Sequence, residues 1–174
     1  MKIEIALGSI VIIIAFMAIE IGTAFSLNNV SDTNPLEWFN KGNVLYNLSR
    51  YDEAIYAYDQ AIELDQSYAD AWDHKGNAFR KMGEYDEAMA AYNKAATLDS
   101  KLAEAWYGEG ETLFDQGRYN ESIKAYDTAI AINPKWALPW YGKGESLDQL
   151  GLHEDAIEAY DAAVELDLSS IKQK

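Results

Sequence analysis

Cysteine is absent from the 174-residue chain. That excludes disulfides, thiolate metal sites and a cysteine nucleophile, and it leaves the compartment open. Histidine is scarce. His74 and His153 are too few for a histidine-rich metal cage. Positive charge is also short: 14 Lys and Arg face 29 Asp and Glu, a formal net charge of −15. So acidic a surface repels phosphate backbones, and no nucleic-acid partner is expected. The sequences "GxxxxGK", "GxSxG" and "HExxH" do not occur, nor does a "D-x-D-x-D-G" calcium loop. Carboxylate pairs such as Glu109 and Glu111 are plentiful. On an open solvated face they lack the burial that would split their pKa values for acid–base work. The expectation is a non-enzyme with no metal and no cofactor.

What is there begins with an apolar leader. "IALGSIVIIIAFMAI", from Ile5 to Ile19, carries no charge, and Lys2 precedes it while Glu20 ends it. The run is short for a spanning helix, which needs ~20 apolar residues. It suits the core of an export signal over residues 1–27, with cleavage before Phe25 or Leu27. The other reading is an uncleaved anchor reaching Leu27 with Glu20 buried. Either places the rest of the chain outside the cytoplasm, exported or anchored in the cytoplasmic membrane. Three "N-x-S" triplets, at Asn29, Asn47 and Asn120, are compatible with that side. Residues 28–34 are polar and turn-rich, and read as a linker.

After the linker the chain repeats with a period of 34. Trp stands at 38, 72, 106 and 140, and Gly follows at 42, 76, 110 and 144. Leu45, Phe79, Leu113 and Leu147 come next. A second set follows: Ala54, Ala88, Ser122 and Ala156, then Tyr58, Tyr92, Tyr126 and Tyr160, then Ala61, Ala95, Ala129 and Ala163. Spacings of four and seven mark one face of a helix, so each period holds two helices. Ser49, Gly83, Gly117 and Gly151 fall where the first must stop. Asp52, Asp86 and Asn120 are placed to cap the second. Gly and Ala mark close backbone approach, and Trp and Tyr fill the wider gaps between units. The aromatic columns are read as core.

This pattern resembles the tetratricopeptide repeat, a 34-residue helix-turn-helix unit. Four copies would occupy residues 35–68, 69–102, 103–136 and 137–170, with a tail at 171–174. The family often has Leu just before the first Gly, where this chain has Lys41, Lys75, Glu109 and Lys143. Their stems are expected along apolar surface with the charges in water. The resemblance implies an all-α fold, a right-handed α-solenoid whose units stack because none can bury its apolar face alone. It also implies that the first helix of each unit lines a concave groove.

Projection of the helical period onto that groove selects Phe39, Asn43, Tyr46, His74, Asn77, Arg80, Tyr107, Glu111, Phe114, Tyr141 and Glu145. Aromatics would anchor a peptide or helix, Asn43 and Asn77 would donate to and accept from its backbone, and Glu111 and Glu145 would select charge. The groove reads as having a basic spot in its second unit and an acidic second half. Relatives that grip the acidic tails of heat-shock chaperones add Lys and Arg around such an Asn. The matching positions here are Phe39, His74, Glu104 and Gly108, which disfavours that ligand and points to a basic or polar segment. The expected function is a protein-binding scaffold in cell-envelope assembly, with the membrane met only through the leader. A structural cell-surface protein and an accessory unit of a glycan-processing enzyme are the alternatives. Trp136 lies off the 34-residue column and is read either as packing under Trp140 or as a local exposed anchor. Only "IKQK" follows Ser170, so the last helix should be partly uncovered, and weak self-association through it is expected.

Overall fold

The computed structural model describes residues 33–172. The leader, most of the linker and the Asn29 triplet lie outside them. Eight helices follow one another among the described residues: α1 Pro35–Asn47, α2 Tyr51–Leu64, α3 Ala69–Met82, α4 Tyr85–Leu98, α5 Ala103–Asp115, α6 Tyr119–Ile132, α7 Ala137–Gln149 and α8 His153–Lys172. Each packs on its neighbours in sequence. The odd-numbered helices also touch one another along the stack, whereas the even-numbered helices do not. That asymmetry curves the stack into an α-solenoid with α1, α3, α5 and α7 on the inner side. No described helix is long and apolar enough to cross a membrane.

The turns inside each unit share one geometry. At the end of α3 the Glu84 N–H bonds the Phe79 carbonyl at 3.0 Å, and the Gly83 N–H bonds that of Arg80 at 3.0 Å. This paired closure needs a residue in the left-handed region. Gly83 supplies it at φ 80°. In the first unit Ser49 is forced to φ 58° with the same two bonds, to Leu45 and Tyr46. A side chain there costs about 1 kcal/mol that glycine does not incur.

The second helices start two residues earlier than the sequence suggests. Arg50, Glu84 and Arg118 occupy the cap positions and make no side-chain cap bond. Asp52, Asp86 and Asn120 are therefore first-turn residues rather than caps. The acids among them act on the helix dipole. Arg50 and Arg118 instead bridge to Glu53 and Glu121, at 2.6 and 2.7 Å, within the same turn.

The core is made by tyrosine and small residues. Tyr58, Tyr92 and Tyr126 are fully buried, as are Ala54, Ala88, Ala61, Ala95 and Ala129. Trp72, Trp106 and Trp140 are only half-buried. Gly110 of the same unit and Gly142 of the next lie against the ring of Tyr126. A Cβ on either would come within 2.6 Å of it. The close approach predicted at the glycines is thus helix backbone against a tyrosine ring, not backbone against backbone. The second contact, at Gly108 and Gly142, is a column absent from the sequence reading because unit two has His74 there. Ser122 replaces the alanine of its column and meets the equally buried Ser146 at 3.0 Å, so the one polar change is matched across the junction.

Gly110→Ala is expected to lose about 1–3 kcal/mol by overpacking the Tyr126 ring, despite the helix propensity of alanine. Ser49→Gly should gain up to about 1 kcal/mol. Urea unfolding of the two variants checks both signs.

Candidate functional site: the concave groove

The inner helices place the selected residues along one surface, but most of them have internal partners. The Tyr58 hydroxyl donates to Oδ1 of Asn43 at 2.9 Å, and Tyr92 does the same to Asn77 at 3.0 Å. In unit three Glu111 takes this place and accepts from Tyr126 at 2.9 Å. In unit four Tyr160 turns instead to Asp148, at 3.0 Å, and Glu145 stays clear of it. The two asparagines are therefore not free to present both donor and acceptor. Asn77 also donates from Nδ2 to Asp73 at 3.2 Å. These polar groups first satisfy buried phenols, which would be costly to leave unpaired.

The basic spot is internal as well. Arg80 reaches across to the next unit and pairs with Asp115 at 2.8 Å and Glu111 at 3.3 Å. Its side chain is 14% exposed. The charge expected from Arg80 and the charge expected from Glu111 largely cancel. Glu145 keeps its carboxyl free, with its pKa raised by burial and by Glu111.

Phe39, Tyr46, Tyr107 and Phe114 are half-buried. Phe39 packs on Tyr68 at 5.1 Å and on His74 at 4.8 Å between ring centroids. Burial lowers the His74 pKa, which favours a neutral ring. Tyr46 and Phe114 close on the tyrosines that open the following helices, Tyr51 and Tyr119, each at 5.4 Å. Tyr107 meets Trp136 at 4.9 Å. Trp136 thus packs on the groove side, against α5, and neither of its two sequence readings describes that contact. Tyr141 is the open aromatic, 53% exposed. Asn43, Tyr46, His74 and Asn77 come together around an open cleft of about 440 Å³, joined by Asn47.

Asp73 also projects onto the inner face by the helical period, but the structure buries it. It stands in the Phe39, Tyr107 and Tyr141 column, yet it is 3% exposed. Among the described residues Oδ1 has no hydrogen-bond partner. Burial, then Glu104 and Asp70, push its pKa up to about 7. Its mark in the sequence is an acid in an otherwise aromatic column.

The match to known repeats is direct. A tetratricopeptide-repeat family model matches residues 74–135 and again 107–170. Two further models with the same description match residues 35–68 and 57–90. The chain belongs to the tetratricopeptide-repeat family. Among solved structures, this repeat protein is similar to a crystal structure of MamA, with a TM-score of 0.72 and 24% identity over 80% of this chain and 82% of that one. It is also similar to MamA residues 41-end from Desulfovibrio magneticus RS-1. There the TM-score is 0.68 and the identity 22%, over 79% of this chain and 77% of that one. At these identities the likeness concerns the fold. No curated protein sequence matches the chain.

The raised pKa of Asp73 gives a pH-dependent stability with a defined sign. The folded state holds the proton more tightly than the unfolded chain, so this residue costs nothing below about pH 4 and progressively destabilises up to about pH 7. Asp73→Asn should therefore raise the melting temperature at pH 8 and leave it unchanged at pH 4. Paired thermal melts check this.

Proposed function

We propose that the protein is a non-catalytic scaffold that holds a peptide or helical segment of a partner protein in its concave groove. Binding alone is the mechanism. The observation that carries this reading is the free surface at the two ends of the groove. One end is the cleft around Asn43, Tyr46, His74 and Asn77. The other is the exposed ring of Tyr141 one turn from the unpaired Glu145. Between them Arg80, Glu111 and Asp115 form an internally paired ridge. A guest would anchor an apolar side chain in the cleft and set a basic or polar one beside Glu145. The net charge of −15 favours a cationic segment.

The apolar leader supports a location outside the cytoplasm, exported or tethered, and envelope assembly is the corresponding setting. A second reading, a structural surface protein with an idle groove, is favoured by one observation. Asn47, the acceptor of an "N-x-S" triplet, lines the cleft. A glycan there would fill the space a guest needs. Mass spectrometry of the native protein that finds Asn47 occupied would favour this second reading.

Selection of displayed 12-residue peptides on the full chain tests the groove. Basic sequences with an apolar anchor should be enriched. Their affinity should fall about tenfold on Tyr141→Ala or Glu145→Lys, and it should weaken with salt. Glu145 is the cleaner reversal than Glu111, whose charge is tied to Arg80. Lack of enrichment, or enriched peptides indifferent to both variants, would remove the groove from the mechanism.

A further inference from the structure

The junctions between units define what an even-numbered helix expects on its outer face. Asp59 of α2 pairs with Lys75 of α3 at 2.6 Å, and Asp127 of α6 pairs with Lys143 of α7 at 2.6 Å. Each lysine also lies over a tryptophan of its own helix, Lys75 over Trp72 at 5.1 Å and Lys143 over Trp140 at 5.7 Å. The residue four before each lysine, Ala71 or Pro139, is buried, and so is the residue three after, Ala78 or Ser146. The arriving helix is thus small at two places, with a lysine between them. The middle junction keeps the small residues, Ala105 and Thr112, but has Asn93 and Glu109 in place of the ion pair.

The face of α8 repeats the pattern, and no described helix covers it. Asp161 stands 34 residues after Asp127, and among the described residues no cation pairs with it. Ile157 and Val164 are 59% and 55% exposed, whereas Ile123 and Ile130, their counterparts on α6, are half-buried under α7. The opposite end of the solenoid differs. On α1 the two small positions are Glu37 and Val44, and Asn40 is exposed where α5 and α7 have glycine. Glu37 accepts from the capping Asn34 at 3.1 Å. That end is finished with polar groups, and the α8 end is not.

We propose that the outer face of α8 is an interaction surface for a helix supplied by another protein, carrying small–aromatic–x–x–Lys–x–x–small. Its lysine would pair with Asp161, and its small residues would let its backbone approach Ile157 and Val164. The weak self-association expected from the sequence would put α1 of a second copy here. Lys41 would then fall in register with Asp161, but Glu37 and Val44 would occupy the two small sites. Burying Glu37 would break its bond to Asn34 without a replacement. A foreign helix with the small pattern is the better fit.

A stapled, fluorescent peptide of residues 68–83 carries this pattern through Ala71, Trp72, Lys75 and Ala78 and serves as the probe. Anisotropy titration with the full chain should show saturable binding. Asp161→Lys in the chain should weaken it about fivefold, and Lys75→Glu in the peptide should recover part of that loss against the same variant. Asp161 is exposed, so the variant should retain the wild-type circular dichroism. Absence of saturable binding, or binding indifferent to the charge swap, would overturn the proposal. So would a concentration-dependent dimer of the chain alone, in sedimentation, that Lys41→Glu dissolves, because it would seat a second copy on this face.

Discussion

The stack depends on a tyrosine ring held between glycine backbones. Tyr92 lies against Gly76 of its own unit and Gly108 of the next, and Tyr126 against Gly110 and Gly142. The ring is fully buried on α4 or α6 and faces backbone of the helices on either side. No Cβ can enter that space, so the distance between consecutive units is set by the thickness of the ring. Trp72, Trp106 and Trp140, more conspicuous in the sequence, stay half-buried, and Trp72 and Trp140 give footing to lysines. At the first junction the ring of Tyr58 meets His74 instead of a glycine, at 5.9 Å between centroids. That junction accordingly opens toward the cleft that His74 lines.

The same rings determine which groove residues remain available. A buried phenol must place its hydroxyl on an acceptor, and the acceptors lie on the inner face: Asn43, Asn77 and Glu111. Groove polarity is therefore first a requirement of the core. What is left for a ligand lies where that requirement lapses. In unit four the hydroxyl goes to Asp148, which frees Glu145. In unit one the amide of Asn43 borders open space. On the proposed function recognition and packing would draw on one set of side chains, so substitutions at Asn43, Asn77 or Glu111 would act on both.

The repeat, the helix pairs and the turn residues were legible because each is written four times. Ser49 could be placed in a left-handed turn only because Gly83, Gly117 and Gly151 occupy the same column. The helix starts were less legible, since Arg50, Glu84 and Arg118 give no capping signal and the nearby acids imitate one. Within the groove, helical projection found the right face but not the partners. Asn77, Arg80 and Glu111 each bond to a residue 15 or more positions away. The first and last depend on how the two helices of one unit face each other, and the Arg80 pair on how one unit is set against the next, which a period of 34 reveals only in part. Asp73 marks the limit of projection: it falls on the inner face in an aromatic column, yet it is buried, and that burial raises its pKa.

Charge placement follows from the same geometry. Lys75, Lys143 and Arg80 are spent on bonds between consecutive units, each meeting an acid of the neighbouring one. Each such pair uses one acid and one base, so the surplus of 29 Asp and Glu over 14 Lys and Arg is left standing. Two consequences run in parallel. The field around the solenoid attracts cationic partners, whichever surface they reach. Discrimination among such partners must come from local shape, because a diffuse acidic field alone does not select. The cleft beside His74 and the open face of Ile157 and Val164 on α8 are two places where shape is available. On the two proposals, each would add apolar contact to the same electrostatic attraction, and one acidic scaffold would engage two segments at distinct surfaces.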